Sequence, residues 1–303
     1  MNDATSPLSP ELFQQIRAIQ IRTQRLVTEA WAGEYESAFR GQGMEFEDVR
    51  AYQPGDDIRS IDWNVTARTG MPFVKEHREE RELTVMLAVD VSSSGNFGSG
   101  QKLKREIAAE VAAVLAYSAI KSNDKVGLAI FTDHVEHFIP PKKGRAHLWR
   151  VIRDILTYQP VRSGTSIKGV LEFLGRVLAR RAVIFLISDF IDSGFALPLR
   201  LAAQRHDLTA ISITDARELS FPEVGLVELE DLENGRRVML DTRQRSARRA
   251  FVAIKKAERE AFSEELRAAG VGEIRLSTNE PYMEPIIRYF RRREHHAHAA
   301  RRA

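Results

Sequence analysis

The chain has 303 residues, room for one large domain or two modest ones, and its 43% apolar and 29% charged make-up is that of an ordinary soluble protein. It has no cysteine, which excludes disulfides, thiolate metal sites and cysteine nucleophiles. The net charge of +3 is uneven: residues 288–303 hold six arginines against one glutamate, or +5, which leaves −2 for the rest.

The first residues, Met1-Asn-Asp-Ala-Thr-Ser-Pro7, have no basic stretch followed by an apolar core, so no secretory signal is visible. No apolar run is long enough to span a bilayer, and the expected location is the cytoplasm. Residues 8–31 read as a docking helix: Ser9 and Pro10 give a start signal, and Leu12, Phe13, Ile16, Ile19 and Leu26 form an apolar stripe. Residues 39–80 are sparse in apolar side chains and alternate in charge, with a turn at Pro54-Gly55. Phe46, Val49 and Tyr52 are candidates to face a core. Asp48, Arg50, Asp56, Asp57, Arg59, Asp62 and Arg68 are candidates for an ion-pair network in a β-rich appendage. Such a network either braces the fold or positions a partner, and the sequence does not separate the two.

From Glu82 onward, strand and helix patterns alternate. Strands are expected over 85–90, 125–131, 135–140, 182–187 and 208–214. Helices are expected over 102–121, with Ile107, Val111, Val114, Leu115 and Ile120 facing a core, and over 145–156, 166–178 and 197–205. Near-continuous apolar strands separated by helices predict an α/β, Rossmann-like domain with a mostly parallel central sheet covered on both faces. Residues 223–229 and 236–240 flank Glu233-Asn-Gly235, a hairpin signal. Residues 245–268 read as a long helix with Gly270 as its C-cap, 273–276 as a last strand and 284–290 as a short helix, with the remaining tail disordered or frayed. The expected organisation is therefore 1–80, an N-terminal helix and β-rich region; 81–280, the α/β domain with a 223–240 hairpin insertion; and 281–303, a basic tail.

The chemistry gathers at strand ends. The strand over 85–90 stops at Asp90, and Ser92 and Ser94 follow in the pattern Asp-x-Ser-x-Ser. Ser163-Gly-Thr165-Ser166 precedes a helix, and Asp189 follows the strand over 182–187. If those two strands are neighbours where strand order reverses, Asp90, Ser92, Ser94, Thr165 and Asp189 meet in one crevice. Carboxylates and hydroxyls suit a hard divalent cation, Mg²⁺ in particular or else Mn²⁺ or Ca²⁺. Hydroxyl ligation leaves such an ion short of negative charge, so it would seek a carboxylate from a partner. Taken alone, Asp90, Ser92 and Ser94 are also ordinary turn and cap residues; Thr165 and Asp189 tip the reading toward a metal.

These residues resemble the metal-ion-dependent adhesion site of the von Willebrand factor A domain, with Asp90, Ser92 and Ser94 on its first motif, Thr165 on its threonine and Asp189 on its later aspartate. The departure is Ser188-Asp-Phe-Ile-Asp192, where the family more usually has Thr-Asp-Gly; Asp192 is a candidate to assist or replace Asp189. The block from Gly43-Met-Glu-Phe-Glu-Asp-Val-Arg50 to Arg68, with His206-Asp-Leu208 and Ile213-Thr-Asp-Ala-Arg-Glu218, resembles the domain-of-unknown-function 58 family over most of residues 30–280. That resemblance implies an adaptor or co-chaperone working with a MoxR-type AAA+ ATPase on another chain, and an unknown client protein.

Other readings are weaker. Gly95-Asn-Phe-Gly-Ser-Gly100-Gln-Lys102 nearly matches a phosphate-binding loop, but Gln101 stands where lysine is needed and no Ser or Thr follows Lys102. A Mg²⁺-dependent phosphoryl-transfer enzyme would need a second aspartate two residues after Asp90 or a histidine base. His134 and His137 sit in a hairpin, and His295, His296 and His298 in the tail. Nucleic-acid binding rests on the arginine tail alone. The expected function is a non-enzymatic protein-interaction module.

Overall fold

The computed structural model describes residues 21, 23, 25–27, 35, 38, 45–78, 82–230 and 235–302. Most of the helix expected over 8–31 lies outside the described residues, as do the side chains of Phe46 and Val49. The chain first forms a small antiparallel pair, β1 (Glu45–Ala51) and β2 (Phe73–Arg78), with helix α1 (Trp63–Thr69) between them.

The aspartates of this block do local work. Asp62 caps α1, accepting from the N–H groups of Asn64 at 2.9 Å and Val65 at 3.2 Å. Asp57 accepts from the Arg59 N–H at 2.9 Å. Asp56 takes a two-pronged bond from Arg50, 2.7 Å on each oxygen, and one from the Gln53 N–H at 2.8 Å. Arg50 and Asp56 thus form one ion pair of the expected network, while Asp57 and Asp62 also take N–H groups two or three residues ahead, within easy reach of an aspartate side chain; the Asp48 side chain lies outside the described residues.

The main unit follows: β3 (Thr84–Asp90), α2 (Lys104–Lys121), β4 (Lys125–Phe131), β5 (Val135–Lys142), α3 (Arg145–Thr157), α4 (Ile167–Val177), β6 (Val183–Ser188), α5 (Ala196–Arg205), β7 (Asp207–Thr214) and the single turn α6 (Ala216–Leu219). The hairpin β8 (Leu226–Glu230) and β9 (Arg237–Asp241) comes next, then α7 (Arg245–Ala268), β10 (Gly272–Ser277) and α8 (Met283–Arg302). Six strands form one sheet in the order β10-β7-β6-β3-β4-β5, parallel except for β5, which runs antiparallel to β4. The expected α/β class with a mostly parallel central sheet is the observed one.

Alternate residues of β3 point to opposite faces, as the strand period requires. Val85, Leu87 and Val89 pack against α2, α3 and α8, while Met86 and Ala88 pack against α4, α5 and the end of α7. Each fully buried Val or Leu contributes roughly 1.5–3 kcal/mol, enough to fix the central strands in register. The chain lays β4 and β5 on one side of β3, then returns to lay β6, β7 and β10 on the other. The order therefore reverses between β3 and β6, where Val89 lies opposite Ile187 and the next residues are Asp90 and Ser188.

The C-terminal segment departs from expectation. Instead of a short helix over 284–290 followed by a disordered or frayed tail, α8 runs continuously from Met283 to Arg302. Ile286 and Phe290 are fully buried in the core, and Arg293 pairs with Asp207 at the start of β7. The apolar anchors and this long-range carboxylate hold a segment that looks solvated from its arginines alone. Among the described residues, no helix is long and apolar enough to cross a membrane.

Candidate functional site

At the strand-order reversal the carboxyl ends of β3 and β6 open into a small cavity of about 20 Å³. That is space for one water-sized occupant. Asp90, Ser92, Ser94, Ser188 and Asp189 line it, with Lys104 and Arg105 from the first turn of α2. The turn after β3 is a short 3₁₀ helix, Ser93–Asn96, that folds the two serines back over Asp90. Ser92 donates its N–H to Asp90 Oδ1 at 2.9 Å, Ser188 donates its hydroxyl to Asp90 Oδ2 at 2.6 Å, and the Ser92 and Ser94 hydroxyls lie 2.9 Å apart. Asp90 is buried. Burial first, and the neighbouring Asp189 carboxylate second, push its pKa up to about 6 against these hydrogen bonds.

Asp189 has a different neighbour. Its Oδ2 accepts from the Lys104 ammonium at 2.6 Å, and the same ammonium donates to Glu218 Oε1 at 2.5 Å. Burial opposes the charged lysine, but Asp189 and Glu218 outweigh it and hold its pKa above the ordinary lysine value. Glu218 is itself held, because its Oε2 accepts from the Asp215 N–H at 2.9 Å. The Asp215 carboxylate ties α6 to the loop before α2: it accepts from the Ser99 N–H at 2.8 Å, the Ser99 hydroxyl at 2.6 Å, the Arg217 N–H at 2.8 Å and the Thr278 hydroxyl. The near-phosphate-loop glycines serve this packing. A Cβ on Gly98 would sit 2.5 Å from the Lys102 carbonyl oxygen. Lys102 points elsewhere, with both of its bonds at 2.6–2.7 Å on Glu110.

Four of the five residues singled out from sequence, Asp90, Ser92, Ser94 and Asp189, therefore share one cavity. Thr165 stands half-buried outside the cavity wall, although its loop is adjacent: Ser93 donates its N–H to the Ser163 carbonyl at 3.0 Å, and Ser166 donates to the Thr132 carbonyl at 2.8 Å. Asp192 does not join Asp189; it accepts from the Ile167 N–H at 2.8 Å and so braces the start of α4. Asp56, Asp57 and Asp62 close the turns around α1 described above, in the same small unit as Arg59 and Arg68.

Three participants escaped the sequence reading: Ser188, Lys104 and Glu218. Ser188 follows the apolar run as directly as Asp189 does. Lys104 is three and seven residues before Ile107 and Val111, on the buried stripe of α2, which is an odd place for a solvated lysine.

The donor set fits a hard cation in part. Hydroxyl and carboxylate oxygens converge, there is space for a single small occupant, and Asp90 is held by the Ser92 N–H and the Ser188 hydroxyl, both uncharged donors. Asp189 already has a cationic partner in Lys104. Among the described residues no group of three or more His, Asp or Glu side chains forms a metal cage, so a cation here would depend on the serine hydroxyls.

A larger cavity of about 450 Å³ adjoins the first and shares Asp90 and Arg105 with it. Its walls mix Val89, Ile155 and Leu156 with Lys102, Glu106 and Tyr158.

Comparison with known proteins gives the following. The family model described as "Protein of unknown function DUF58" matches residues 48–261. The uncharacterized protein Rv1480 of Mycobacterium tuberculosis is 30% identical over 285 residues, covering 92% of this chain and 89% of that protein. Among solved structures, the conserved hypothetical protein BatB of Bacteroides thetaiotaomicron is similar at 15% identity and a TM-score of 0.45, over 70% of this chain and 98% of that one. The SpRpn10 VWA domain is similar at 12% identity and a TM-score of 0.39, over 68% of this chain and 94% of that one.

Proposed function

This chain belongs to the DUF58 family of proteins of unknown function, and from that premise we propose that it is a non-enzymatic protein-interaction module whose binding site is the crevice between β3 and β6. One observation carries the reading: the chain's two central strands deliver Asp90, Ser92, Ser94, Ser188 and Asp189 to a single opening at the strand-order reversal, the place where open α/β sheets bind ligands. Asp90, Ser92 and Ser94 would hold a divalent cation, Mg²⁺ foremost, with Asp189 and the Thr165 loop beside it. When bound, the ion would supply an open position for an acidic side chain of a partner.

The protein's own groups do the rest. Ser188 and the Ser92 N–H orient the Asp90 carboxylate, and the Ser92–Ser94 hydroxyl pair lies at the cavity. The adjoining larger cavity gives the flanking part of a partner segment mixed apolar and polar walls. The partner we propose is a MoxR-type AAA+ ATPase in the cytoplasm, with this chain as adaptor between it and a client protein.

The test is a pull-down of the purified ATPase by this chain in Mg²⁺ and in EDTA, with Asp90→Ala alongside. Recovery in Mg²⁺ that is lost in EDTA and in the variant supports the reading. Equal recovery under both conditions refutes recognition through a cation.

A further inference from the structure

We infer that Lys104 is a built-in competitor for the cation site: its ammonium occupies Asp189 in the ion-free chain and must leave that carboxylate before a divalent ion can use it. The inference rests on the cation reading above and adds the residue that sets the site's affinity.

The lysine is placed, not incidental. It is the first residue of α2, its side chain is only 3% exposed, and it meets Asp189 and Glu218 at 2.6 and 2.5 Å. Glu218 is oriented by the Asp215 N–H, and Asp215 by bonds from Ser99, Arg217 and Thr278. Segments from four parts of the chain thus hold one ammonium against one cavity. The charges of the cavity wall cancel, Asp90 and Asp189 against Lys104 and Arg105. An incoming dication gains no net attraction from that wall until Lys104 turns away. Glu218 supplies the means, because a lysine released from Asp189 keeps its second carboxylate and need not be left buried without a counter-charge. Four rotatable carbons and a compact head allow that small swing.

The experiment is a calorimetric titration of Mg²⁺ into the full wild-type chain and into Lys104→Gln, with folding of each checked by circular dichroism. The expected result is Mg²⁺ binding that tightens about tenfold or more in Lys104→Gln, the scale of removing one charge-assisted bond that the ion must otherwise break. Equal affinity in both proteins overturns the inference and leaves the cation reading standing. No binding in either sinks the cation reading, and the inference falls with it. If Lys104→Gln does not fold, the wild-type chain decides. The ¹⁵Nζ resonance of Lys104, assigned with Lys104→Arg, shifts on Mg²⁺ saturation if the ammonium is displaced. An Nζ resonance that stays put while Mg²⁺ binds elsewhere in the spectrum overturns the inference.

Discussion

The ammonium of Lys104 lies 2.6 Å from the Asp189 carboxylate, and both side chains are almost wholly buried. Removing one member of such a pair strands the other charge in a poor solvent. Lys104→Met should therefore lose about 3–5 kcal/mol of unfolding free energy, measured by urea denaturation at neutral pH. The double variant Lys104→Met/Asp189→Asn should recover much of that loss, since no uncompensated charge is then left at Asp189. A double variant no more stable than Lys104→Met would mean the two groups are energetically independent.

Asp215 sets the acid limb of stability. Burial works against its ionised form, but the bonds from Ser99, Thr278 and Arg217 win and bring its pKa down from 3.8 to about 2. The folded state then binds its proton less readily than the unfolded chain. The stabilisation is complete above about pH 4 and is lost as pH falls toward 2, an effect of roughly 2 kcal/mol. Asp215→Asn should be less stable at pH 7 and should show a flatter stability profile between pH 4 and 2. A variant profile parallel to the wild type over that window would remove Asp215 from the account.

Asp62 sits at the start of α1 with its carboxylate on the Asn64 and Val65 N–H groups. A seven-residue helix has little else to hold its first turn. Asp62→Ala should cost about 1 kcal/mol, with Asp62→Asn or Asp62→Ser restoring most of it. Loss of partner binding in Asp62→Asn without loss of stability would instead assign this side chain to the partner.

Much of this could be read from the chain itself. The apolar runs before Asp90 and Ser188 announced buried parallel strands, and a shared position at strand ends was enough to bring Asp90 and Asp189 together. Lys104 was not legible in the same way. A lysine on a helix reads as solvated unless its counter-charges are known, and Asp189 and Glu218 lie 85 and 114 residues further along the chain. The 39–70 block was legible in part: its alternating signs suggested ion pairing, which Arg50 and Asp56 make, but charge alone did not show that Asp57 and Asp62 also take N–H groups two or three residues ahead. The tail needed Asp207 and the sheet face before Ile286, Phe290 and Arg293 could be seen as a docking stripe.

That stripe makes the C-terminal segment part of the fold. Phe290 is fully buried among Tyr35, Phe185 and Tyr289, and Arg293 donates to Asp207 at 2.9 Å. Phe290→Ala should cost about 3–5 kcal/mol through the lost transfer energy and the cavity left behind. Arg293→Met should cost about 1–3 kcal/mol by stranding Asp207 at the start of β7. Deleting residues 288–303 removes both anchors, so the truncated chain should melt well below the full one, as read by circular dichroism. A nucleic-acid binding loss seen on that deletion would therefore report unfolding before it reported the arginines. Unchanged melting of the truncated chain would show instead that α8 is an appendage and that its charges are free to act on their own.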